Sequence, residues 1–211
     1  MIRDSHACMR PEMSTLRHLP LVVVVVLLSA CVPTSEHALT APGEQALDAK
    51  LIGTWYWTEP NETGYVHIGR NEQADELRVM MVEWNADGVM KLSGLHGHNS
   101  TVGDHTYLNL KWSDTKESAE DGYLFVKYTL TDDRLGIAVI RQTTVEQAVS
   151  DGALAGNIEQ RKWFSTVHLS ASQRHLQAFV QDNDKALFED MHYLYRLPAP
   201  PGTGNGVPAG N

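Results

Sequence analysis

The chain has 211 residues, 42% of them hydrophobic, which suffices for one domain with its own core. Its 17 Lys and Arg against 26 Asp and Glu give a formal charge of −9, a balance that argues against nucleic acid and against polybasic attraction to anionic lipid. Only two cysteines are present, Cys8 and Cys31, and Cys8 falls in a segment that reads as discarded, so packing rather than a disulfide must hold the fold.

The first predicted element is Leu21 to Cys31, the run LVVVVVLLSAC. Its apolar core is about ten residues long, whereas a membrane-spanning helix needs roughly 20. Arg3, Arg10 and Arg17 precede it and small Ser29 and Ala30 end it, which is the layout of a secretory signal peptide, with translation starting at Met1 or Met13. Leu28-Ser29-Ala30-Cys31 resembles the bacterial lipobox, where signal peptidase II cuts before a cysteine already joined to diacylglycerol. An ordinary signal ending in a chance cysteine is the other reading. The lipobox resemblance implies that residues 1–30 are removed and that Cys31 carries acyl chains such as palmitate. That covalent lipid makes the membrane a partner, and no further cofactor is expected. A single chain, at about 0.8 kcal/mol per buried CH₂, binds membranes marginally, while several together anchor stably. Val32 stands where such lipoproteins carry an inner-membrane retention aspartate, so the resemblance implies an outer-membrane address facing the periplasm. Loss of Arg3, Arg10 and Arg17 with Asp4 and Glu12 leaves the rest of the chain one charge more acidic.

Residues 31–50 comprise the lipidated cysteine and a segment with Pro33, Pro42 and Gly43 that lacks a sustained apolar period, and they read as a flexible tether. At about 5–6 Å × √n, such a coil would hold the following domain roughly 20–25 Å from the lipid.

From Leu51 the texture changes to short runs rich in Trp, Tyr, Val, Ile and Leu, cut by Gly, Asn and Asp, which are strand signals. The runs are Gly53–Thr58, Tyr65–Arg70, Leu77–Asn85, Val89–His96, His105–Trp112, Tyr123–Thr131 and Leu135–Arg141. Connections as tight as Asp87-Gly88 and Asp132-Asp133 make antiparallel neighbours. The period inside the runs is two. Leu77, Val79 and Met81 face away from Arg78, and Leu108, Leu110 and Trp112 face away from Asn109 and Lys111.

The period then becomes helical, with Val145, Ala148, Val149 and Gly152 on one side of a first short helix. A brief strand near Thr166–Leu169 precedes a second helix that carries Leu176, Phe179 and Val180, starts near Ser170 or Ser172 and stops at Asn183. Met191 to Leu197 alternates as a last strand. Residues 198–211 are rich in Pro and Gly, uncharged, and expected to be disordered.

Leu51-Ile52-Gly53-Thr54-Trp55 resembles the G-x-W opening of the lipocalin family, in which glycine starts the first strand and tryptophan plugs the closed end of a barrel. The resemblance implies that Gly53, Trp55 and a late basic residue, Arg196 by position, form a barrel base. The order of lipobox, tether, G-x-W, meander, two helices and final strand is also similar to that of uncharacterised lipocalin-like bacterial lipoproteins. Lipocalins carry a single helix after the eighth strand, which differs from the order here. The predicted fold is therefore mainly β over residues 51–197: an antiparallel meander closing into a lipocalin-like barrel or half-barrel, with two short C-terminal helices.

His96-x-His98 with nearby His105 is the most metal-like set, since alternate strand residues project together and imidazoles bind zinc or copper. Its plain alternative is a polar hairpin at the barrel rim, turning at Gly97 and Asn99. Glu83 and Asp87 read as solvated caps of a turn. No G-x-S-x-G elbow, H-E-x-x-H or phosphate loop occurs, so the sequence predicts a protein that is not an enzyme. An eight-stranded barrel is just wide enough to be filled by side chains or to hold one small ligand, and Met80, Met81 and Met90 would line it adaptably. Two functions follow: a lipid-anchored envelope protein binding a small apolar molecule or lipid, or a non-catalytic structural or interaction module whose protein partners the sequence leaves open.

Overall fold

A computed structural model describes residues 32–60, 62–85, 87–113, 122–162 and 164–198. The elements are β1 (Thr34–Ser35), β2 (Gly53–Glu59), β3 (Glu62–Asn71), β4 (Glu76–Trp84), β5 (Met90–Val102), β6 (His105–Trp112), β7 (Leu124–Leu130), β8 (Arg134–Val139), α1 (Gln142–Ser150), β9 (Gly156–Gln160), β10 (Ser165–Leu169), α2 (Gln173–Leu187) and β11 (His192–Arg196). Alternation of apolar and polar residues in β2 to β8 needs one buried face, and each of these strands pairs antiparallel with the one before it. β11 returns after the helices and pairs with both β8 and β2, closing an eight-stranded barrel with no free edge. The expected half-barrel alternative is thereby set aside.

The barrel has two different ends. The β3–β4, β5–β6 and β7–β8 turns lie at one end, together with a 3₁₀ turn at Ala49–Leu51 through which the chain enters. This end is the base. The β2–β3 and β4–β5 turns, the exit from β8 and the start of β11 lie at the other, which is the mouth.

Two cores result from the two faces of the wall. Inside, Leu77 and Val79 of β4, Leu108 and Leu110 of β6 and Val126 of β7 join Trp55 and Leu194 in one apolar cluster, with Met81 and Trp112 at its margin. Outside, Tyr107, Phe125, Ala138 and Ile140 face Val145 of α1, Leu176 and Val180 of α2, and Val167 and Leu169 of β10 in a second. The helices thus cover the β6–β8 side of the wall and the end of β5 at Val102.

Residues 32–50 are not a tether. β1 pairs in parallel with β10, Ala38, Leu39 and Thr40 are buried, and the segment crosses the outside of β5 and β6 as a strap. Its anchor is Asn109, which the strand period places on the outer face and which is fully buried there. The Asn109 side-chain carbonyl accepts from the Leu39 amide at 2.7 Å, and its amide donates to Ser100 Oγ, itself 2.5 Å from Thr40 Oγ1. Satisfying those groups in place of water is what fixes the strap.

Three further elements differ from expectation. β5 continues through Gly97 and Asn99 to Val102, because a Cβ on Gly97 would lie 1.8 Å from the Asn109 carbonyl oxygen and only glycine permits β6 to approach so closely. The true turn is Gly103-Asp104, with Gly103 at φ +58°. α2 does not stop at Asn183, whose side chain bonds back to the Phe179 carbonyl. It runs to Leu187, because Asp184 is tied to the barrel by Lys127 and by the Tyr107 hydroxyl at 2.6 Å. β9, absent from the sequence reading, pairs with β10. The expected leader 1–30, the expected lipidation site Cys31 and residues 199–211 of the expected disordered tail lie outside the described residues.

Candidate functional site

The barrel is packed at its base and opens into a cavity at its mouth. At the base Trp55, Ile68, Leu77 and Leu135 are at most 2% exposed, and the Trp55 indole N–H donates to the Leu51 carbonyl at 2.9 Å. Arg196 closes this end from outside. Its guanidinium carbon stacks 4.0 Å from the Trp55 ring, and its N–H groups donate to the carbonyls of Ile52, Lys50 and Asp132. Gly53 stands beneath at φ +145°, where a Cβ would lie 2.7 Å from Nη1 of Arg196, so glycine is what lets the arginine cross. The structure thus brings Gly53, Trp55 and Arg196 together.

Toward the mouth a cavity of about 550 Å³ remains, within the range of roughly 300–1,000 Å³ that holds small ligands. Trp57, Val66, Met81, Ile137, Val139 and Leu194 form its apolar wall, and Val32, the first described residue, lines it too. The wall is open here because Gly64, opposite Trp57 in the ladder, has no side chain. A Cβ at Gly64 would sit 2.2 Å from the indole, so the ring lies flat over that position. The indole N–H donates to Glu62 at 3.1 Å.

Glu83 is not the solvated cap expected from its neighbourhood. β4 continues to Trp84 with its odd residues inward, so Glu83 follows Leu77, Val79 and Met81 on the inner face and is 5% exposed. It lines the cavity, and among the described residues no hydrogen-bond or ion-pair partner reaches its carboxylate. Burial pushes its pKa up, Lys91 opposite it in the ladder partly offsets this, and Glu62 adds to the rise. Glu62 is raised as well, chiefly by burial, against the lowering effect of its bond from Trp57. A second acceptor is unserved: Oε1 of Gln142, another lining residue, is buried without a donor. Strand periodicity places position 83 inward, a signal hidden by the adjacent Asp87-Gly88 turn.

The three histidines do not form a metal set. His98 is buried under the strap with Nε2 2.9 Å from the Thr40 carbonyl oxygen, and His96 lies 3.5 Å from the Ser113 hydroxyl. His105 begins β6 and approaches Asp184 at 3.3 Å; His98 faces Asn109, four residues or roughly 13 Å along the strand from it. Among the described residues no group of three or more His, Cys, Asp or Glu lies placed to hold a metal. The close β5–β6 approach at Gly97 and the strap divide the set.

The closed eight-stranded antiparallel meander is consistent with a lipocalin-like barrel. Comparison of the chain with protein-family models, with curated proteins and with solved structures gives no match.

Proposed function

We propose that this chain is a lipid-anchored protein of the bacterial cell envelope, without catalytic activity, whose barrel binds a small apolar molecule or the apolar part of a lipid. The observation that carries the reading is the cavity of about 550 Å³ at the barrel mouth, walled by barrel strands and by the segments around α1 and before β10 and β11. Apolar walls without partner atoms forgo dispersion contacts that a ligand restores. The lipobox-like Leu28–Cys31 supports the anchor, and Val32 adds a geometry to it: a lipid on the preceding cysteine would hold the mouth, rather than the base, at the bilayer. An apolar ligand would then pass between membrane and cavity without crossing water.

A second reading, an interaction module of the envelope, is favoured by a different feature. Tyr195, Tyr56, Tyr65, Val82 and Leu92 are successive cross-strand partners on the outer wall that the helices leave bare, and Tyr65, Leu92 and Tyr195 are exposed. A continuous apolar row of this kind marks contact surfaces.

Native mass spectrometry of the full protein released from its own membrane tests the first reading in one measurement. It should give a chain beginning at an acylated Cys31 and carrying a small noncovalent adduct. An unmodified precursor would remove the anchor, and a ligand-free spectrum would move the account to the outer wall.

A further inference from the structure

Glu83 puts a carboxylate on the apolar wall of the cavity beside Trp57, and that pairing points to the polar part of its ligand. Resting on the apolar-ligand reading above, we propose that the cavity recognises an amphiphile with an ammonium head, whose nitrogen meets Glu83 and the face of Trp57 while its alkyl chain lies against Val66, Met81, Ile137 and Val139. Trp57, Gly64, Glu83 and Lys91 are consecutive partners across β2, β3, β4 and β5. The indole covers the side-chain-free Gly64, so the carboxylate and an aromatic face occupy one row of the inner wall.

Two of the nearby donors are already engaged, and among the described residues Lys91, opposite Glu83 in the ladder, forms no ion pair with it. The Trp57 N–H serves Glu62, and Arg141, the only fixed cation among the described lining residues, is paired with Glu189 and Asp190. The Glu83 side chain is largely buried and its carboxylate faces the cavity without a hydrogen bond from the described residues, so a ligand N–H there gains an acceptor. Glu59 and Glu146 add negative charge to the same lining, which disfavours a carboxylate or phosphate in the cavity. An ammonium instead gains a charge-assisted hydrogen bond and an aromatic face, the pair of contacts that selects organic cations.

Titration of the full lipidated protein in nanodiscs with n-octylammonium, n-octanol and octanoate, read by Trp57-dependent emission, separates the possibilities. Octylammonium should bind about tenfold or more tighter than octanol, and octanoate weakest. In Glu83→Gln the preference for the ammonium should disappear while octanol binding is kept, which also shows that the variant is folded. Equal affinities for all three, or a preference that survives Glu83→Gln, would overturn the proposal and leave the apolar reading standing. Binding of none of the three would remove both.

Discussion

The guanidinium of Arg196 lies 4.0 Å from the ring of Trp55, so the last strand of the barrel is clamped onto its first across the base. Three backbone carbonyls hold the arginine in that position, and Gly53 leaves it room. The clamp matters for function because a filled, sealed base leaves the mouth as the cavity's way in and out.

Trp55→Ala should destabilise the fold by about 3–5 kcal/mol, the usual loss for a buried large aromatic. Arg196→Met, which keeps stem packing but loses the carbonyl bonds and the stacking, should cost about 2–3 kcal/mol. Arg196→Lys should recover little of it, since an ammonium cannot span three carbonyls. Urea unfolding of each variant gives these values; a loss below about 1 kcal/mol for Trp55→Ala would mean that the base is not a packed plug.

The strap makes a second prediction. Asn109→Leu removes the acceptor of the Leu39 amide and the partner of Ser100, at a cost of about 1–3 kcal/mol. Hydrogen exchange at Leu39 should be slow in the native protein and accelerate strongly in the variant. Fast exchange there in the unaltered protein would restore a mobile tether.

Asp184 and Glu83 respond to pH in opposite senses. Burial alone would raise Asp184, but the hydrogen bonds from Lys127 and Tyr107 and the charges of Lys127 and His105 outweigh it, so the folded pKa lies below the ordinary value. Its stabilisation is complete above the unfolded carboxyl value and is lost as the pH falls through the lower folded one. Lys127→Met should cost about 3 kcal/mol near neutrality, and the cost should shrink as the pH falls and Asp184 is protonated. Glu83 has its folded pKa raised by burial, so its ionised form weakens the fold at neutral pH and stability is regained as the pH falls toward the ordinary carboxyl value. Glu83→Gln should therefore raise the melting temperature at pH 7 and match the parent protein near pH 4. A melting temperature lowered by Glu83→Gln at pH 7 would show that the carboxylate has a protein partner.

Much of the barrel was legible in the sequence, because β2 to β8 alternate cleanly and each turn is local. Leu77, Val79, Leu108 and Leu110 face inward as their period demands. What escaped depends on contacts distant in sequence. Leu39 looks like part of a Pro- and Gly-marked linker until Asn109, 70 residues away, accepts its amide. Asn183 looks like a helix stop until Asp184 meets Lys127. Gly97 and Asn99 look like a turn because nothing local shows that β6 approaches so closely. At the mouth, Glu83 is inward by period yet close to turn residues, whose acidic and glycine composition masks the period.

Trp57 is a built-in probe of the cavity because it is the one tryptophan among the described lining residues. An alkyl ligand carrying bromine on its chain should quench tryptophan emission saturably, and Trp57→Phe should remove most of that quenching while binding, followed by thermal stabilisation, persists. Quenching of unchanged depth in Trp57→Phe would place the ligand elsewhere on the molecule and contradict a binding site inside the barrel mouth.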